Sequence, residues 1–200
     1  MVSLKKRRNL PIAMRWPLVL MPIHIAFLHL VIDPACSIVF EAQPEEAGVM
    51  KRPPRDPRAK LFGRTLFGVS GAQGLVVLVV VLAVYVIARA LGQAEAEARA
   101  LTFATLLFAN LALIFTNRSW TRVVASSALQ DMTLWAVTLG ALAFLALVIY
   151  VPPLASLFRF APLGPLDVAL CLGGGLLSIT WFEILKLKGR GRRAELAPTL

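Results

Sequence analysis

The residues in this sequence best suited to chemistry are few, and the foremost is an aspartate followed at once by a proline. Asp33-Pro34 lies within FLHLVIDPACSIVFEAQPEE, residues 27–46, an apolar setting that penalises both. An acid at the centre of a membrane helix costs roughly 2.5 to 3.5 kcal/mol on insertion scales, so its presence is by default a functional signal. Proline has no N–H, so Pro34 leaves the carbonyl of Leu30 without its helical donor. A carboxylate beside a freed carbonyl suits a dehydrated cation, and helix breaks supply such oxygens at membrane depth. Two readings stand at this point. Either Asp33 is a cation ligand served by a helix break at Pro34, or Asp33 lies near a helix end and the pair marks a kink.

His29 precedes Asp33 by four residues, which puts both on one helix face. A neutral imidazole there would join a metal site, whereas a protonated one would pair with Asp33 and take the place of a cation; pairing or polar packing is preferred. His24 faces elsewhere and reads as an interfacial or packed residue. Asn110, the most polar residue deep in its apolar run, either faces Asp33 or bonds to a neighbouring helix, the commoner use. Glu183 can pair with Lys186 at i, i+3, a structural arrangement. Cys36 and Cys171 have no CxxC or disulfide-framework spacing and read as small packing residues. Glycines 68, 71, 74 and 173–175 suit close helix approach.

The elements that must position these residues follow from composition. Of 200 residues, 58% are hydrophobic and 16% charged, well below the quarter or so usual in soluble domains. A span needs about 20 apolar residues, and five segments qualify: about 17–40, 65–91, 100–117, 132–151 and 166–187. The third is short and is expected to start a few residues earlier. The fold class is therefore an all-α membrane protein, a bundle of about five transmembrane helices with the first interrupted at Asp33-Pro34. Residues 1–16 read as a basic leader retained on the protein and 189–200 as a basic cytoplasmic tail.

The net charge of +10 gathers between the apolar runs and at the ends, a topology signal rather than a nucleic-acid patch. Six Lys and Arg precede span two, Arg118 and Arg122 precede span four, and five follow Leu185. The far-side connections carry fewer: two around the end of span two, Arg89 in its last turn and Arg99 in the loop, set against Glu95 and Glu97, and only Arg159 after span four. The 41–64 and 117–132 loops and the tail are thus expected in the cytoplasm. The basic N-terminus conflicts with that order if span one crosses fully.

The string DPACSIVFEAQPEEAGVMKRPPRDP resembles the end of the sixth transmembrane helix and the following cytoplasmic loop of P-type cation-transporting ATPases of the calcium-pump type. LIFTNRSW resembles the end of the eighth helix and WFEILK the end of the tenth. The resemblance covers about residues 16–188, making the five spans helices six to ten. It also places NLPIAMRWPLVLMP where the connection from the fifth helix would be, which accounts for the orientation conflict. It implies that Asp33 is a cation ligand. Position 29 is His where such pumps usually carry Glu or Asn, Ile32 stands where calcium pumps can have Thr, and no acid accompanies Asn110 in LLFANLALIF.

Asp33, Asp56, Asp131 and Asp167 are followed by Pro, Pro, Met and Val, so the Asp-Lys-Thr-Gly of the family's phosphoenzyme is not in this sequence, nor is a Gly-rich nucleotide loop. The resemblance implies a C-terminal membrane module of a P-type cation ATPase, not an enzyme by itself, with no cofactor of its own beyond a transported cation. Its partners would be the lipid bilayer and a chain carrying the ATPase head and first five helices. It would reside in a cell membrane of bacterial type, with its C-terminus in the cytoplasm. The alternative is a stand-alone multi-pass protein, acting as a passive cation pathway or as a packing or regulatory subunit of a transporter. Nothing points to a soluble enzyme or to nucleic-acid binding.

Overall fold

The computed structural model describes residues 20–42, 64–117 and 132–195, with side chains of the second helix described from 67 and those of the last helix to 186. The leader, the basic loops and the end of the tail lie outside the described residues. Among the described residues six helices follow one another: α1 Pro22–Glu41, α2 Arg64–Ala90, α3 Glu95–Asn117, α4 Met132–Tyr150, α5 Pro152–Phe158 and α6 Pro165–Glu195. All but α5 are long and apolar enough to cross a membrane, and no strand occurs among the described residues.

The centre is α3, with 72% of its most apolar stretch buried against 22–33% for the other four spans. Its composition explains why. Ala98, Ala100, Ala104 and Ala109 are almost completely covered, and such small residues let neighbouring backbones approach where hydrocarbon provides no hydrophobic drive. Buried Thr102 and Thr105 return their hydroxyls to the carbonyls of Ala98 (2.6 Å) and Leu101 (2.8 Å), leaving no donor orphaned. The tightest seam is with α6. A Cβ on Gly175 would lie 2.8 Å from Phe108 Cβ and 3.1 Å from the Ala109 nitrogen, so glycine there sets the approach. On the opposite flank, α1 packs on α4 and α3 through Phe27, whose ring stacks on Phe144 at 4.8 Å and meets Phe103 edge-on at 5.4 Å.

The expected interruption at Asp33-Pro34 is not present: α1 is one continuous helix with Pro34 inside it. A proline removes a single backbone bond, and the turns on either side suffice to carry the helix through. The third span starts at Glu95 rather than 100, because Glu97 accepts from the Ala94 amide (3.2 Å) and caps the first turn. The tight connection before it turns on Gly92, at φ 82°, whose amide closes onto Arg89 (3.1 Å) while that of Gln93 reaches Ala88 (3.1 Å). Helix α5 is an addition to the expected set. Proline at its start has the right φ and no amide to satisfy.

Candidate cation site

Asp33 and His29 lie on the face of α1 turned away from the rest of the bundle. The buried residues of this helix are His24, Phe27, Ala35 and Val39; at 100° per residue Asp33 projects almost opposite to their mean direction. Both side chains are 70% exposed, with His29 Nδ1 3.3 Å from Asp33 Oδ2. The contact is a hydrogen bond when Nδ1 carries the proton, leaving Nε2 to accept. Ser37, one turn further on, is also exposed, so His29, Asp33 and Ser37 form a polar stripe on an otherwise apolar span.

Asn110 does not join them. Its amide donates to Leu106 on its own helix at 2.9 Å, so neither use expected for it, facing Asp33 or bridging two helices, is what the structure has. Among the described residues no third His, Cys, Asp or Glu assembles a metal-holding group. Among the described residues the stripe thus holds two or three side chains with ligating atoms, all on one face of α1.

The other polar residues within the bundle are spent on structure. His24, fully buried, accepts from the Met21 amide through Nδ1 (3.0 Å), and its Nε2 lies 2.9 Å from the Phe158 carbonyl. Its ring stacks on Phe160 at 4.8 Å, so it is the packed residue expected and ties α1 to the end of α5. Arg99, read from sequence as a loop charge, is a buried residue of α3: it pairs with Glu95 and donates to the Arg159 carbonyl (3.3 Å). At the other end of the bundle, Lys186 Nζ donates to Glu183 (3.0 Å) and to the Thr116 carbonyl, while the Thr116 hydroxyl donates to Glu183. An ammonium thus caps the negative C-terminal end of a neighbouring helix. Beside it, Gln73 and Asn117 exchange side-chain hydrogen bonds (3.1 and 3.3 Å). Sequence reading missed the Gln73–Asn117 exchange; the available signal was two amide side chains at matching depth in adjacent spans. Cys171 is buried with Sγ 3.4 Å from the Leu101 carbonyl, whereas Cys36 is only half-buried.

The family described as "Cation transporting ATPase, C-terminus" matches residues 17–188. A "Calcium-transporting ATPase" of Bacillus subtilis (strain 168) is 32% identical over 158 residues, covering 78% of this chain and 18% of that relative. The chain thus spans less than a fifth of the curated relative's length.

Proposed function

We infer the function from the family to which this chain belongs, that of the cation-transporting ATPase C-terminus. The chain is a multi-pass C-terminal membrane domain of such a pump. The finer reading we propose is that α1 presents Asp33, with His29 beside it, as one wall of the cation pathway, and that preceding helices and a phosphorylated head, on the same or another polypeptide, complete it. The observation that carries this reading is the outward direction of the His29–Asp33 pair. Hydrocarbon makes a poor neighbour for a carboxylate, so this face is built to be covered by groups that share a cation with it. The basic 41–64 and 117–132 loops and the tail face the cytoplasm on this reading, where the head would dock.

Calcium, the ion named for the relative, is carried over as the first cation to try. The test joins this chain with the head and first five helices and follows acid-stable phosphoenzyme as the cation is titrated. The expected result is a cation-dependent phosphoenzyme whose apparent affinity falls at least about tenfold, or 1.4 kcal/mol, in Asp33→Asn. An unchanged cation dependence in that variant, or phosphoenzyme formed by these 200 residues alone, would overturn the proposal.

A further inference from the structure

We propose that His24 is an acid-operated pin: it holds the start of α1 at the junction of α5 with the 159–164 segment, and gaining a proton releases it. The two ring nitrogens fix the state that the pin requires. Nδ1 accepts from the Met21 amide at 3.0 Å, so it carries no proton; Nε2 then carries one and donates to the Phe158 carbonyl at 2.9 Å. A proton added to Nδ1 would set two N–H groups against each other. The ring is fully buried, and Phe103 (5.5 Å), Phe158 (5.8 Å) and Phe160 (4.8 Å) surround it. Such walls offer a second N–H no lone pair.

Charge opposes the proton from two further directions. Arg99 of α3, itself buried, donates to the carbonyl of Arg159, the residue after Phe158, and lies within electrostatic reach of His24. The imidazole also sits in the first turn of α1, where the helix end is already positive. The surrounding rings can attract a cation, but that attraction has to offset a lost hydrogen bond, a guanidinium and the helix end together. The pinned ring is therefore the neutral one, whereas a released ring in water titrates near pH 6.5.

The other charged and titratable groups described on the surrounding elements are engaged or turned away. Glu95 pairs with Arg99, and Glu97 accepts from the Ala94 amide. Tyr150 of α4 donates to the Leu163 carbonyl (2.8 Å), and Asp167 of α6 accepts from the Gly164 amide (3.0 Å). The Arg159 side chain is exposed, and His29 lies on the outward face of α1. These bonds tie Arg159, Leu163 and Gly164 to the bundle without α1. Losing the His24 bond thus frees the start of α1 rather than the segment.

Pinning excludes the proton and release admits it, so the pin is complete above about pH 6.5 and weakens as the pH falls below that. From about pH 7.5 to about pH 5.5 the released fraction rises about tenfold. The proposal concerns the anchoring of α1 and stands whether or not Asp33 binds a cation.

The test is amide hydrogen exchange of the full chain in nanodiscs, read by mass spectrometry at those two pH values and corrected for intrinsic rates. Protection of amides 25–28 is expected to fall about tenfold at the lower pH, while the α3–α6 seam around Gly175 keeps its protection. His24→Gln, whose amide offers an acceptor and a donor but gains no proton, should abolish the pH response. His24→Phe should abolish it too, from a lower starting protection. Wild-type protection equal at the two pH values, a fall shared equally by the α3–α6 seam, or a pH response that persists in either variant would overturn the proposal.

Discussion

Two of the polar groupings in this bundle are built on opposite principles. At the C-terminal end of α3, against the later turns of α6, Lys186, Glu183 and Thr116 close on one another, with side-chain exposures of 4% for Lys186 and 15% for Glu183. On α1, His29 and Asp33 touch only loosely and are 70% exposed. The first grouping has its charges neutralised inside the chain and ties two helices together. The second keeps a carboxylate available at a cost that folding does not recover. What separates the two groupings is thus direction relative to the core rather than residue type.

The sharpest way to break that contrast is Lys186→Met. It leaves the Glu183 carboxylate in a low-dielectric setting without its ammonium, and breaking a buried pair from one side costs about 3 to 5 kcal/mol. Thermal unfolding in detergent should show that loss, and adding Glu183→Leu should recover most of it; a neutral single variant would mean the cluster is not a latch. Next in size is Gly175→Val. With Phe108 Cβ 2.8 Å from the new Cβ, α6 must move away from α3 or distort, an overpacking cost of about 1 to 3 kcal/mol. The same variant at Gly140, where the space is open, should be near neutral. His24→Phe is expected to cost about 1 to 2 kcal/mol, because the ring stack survives while the Met21 amide and Phe158 carbonyl lose their partner. Unfolding measurements that place it level with wild type would show that this end needs the rings alone.

The helices were legible in the sequence because apolar length is a strong signal, and the third span's early start was anticipated. The continuity of α1 was not, since a proline's local penalty says nothing of whether its neighbours' bonds hold the helix together. Helix α5 was missed for a similar reason. Its seven residues are too few for periodicity, and its two prolines read as loop until their place at a helix start is seen. Asp33 was legible as an anomaly, but its direction was not. Facing outward rather than into the bundle depends on which face of α1 meets α4, and the chemically bland Phe27, Ala35 and Val39 decide that. Asn110 shows the converse. Its depth suggested a partner across helices, whereas a carbonyl one turn back on its own helix satisfied it first.

The smallest expected change in stability accompanies the largest in function. Asp33→Asn removes a charge whose described contact is a 3.3 Å approach to an exposed histidine, so the isolated domain should unfold within about 0.5 kcal/mol of wild type. If anything it should insert more readily, since an acid in a span opposes insertion. The same substitution in the complete pump should weaken cation binding, as a ligand loss does. A Lys186→Met domain should behave the other way, losing stability whether or not the rest of the pump is present. Measured together, the two variants separate a residue that holds the domain from one that the domain holds out to a partner. A destabilised Asp33→Asn would place Asp33 with the latch and remove the distinction.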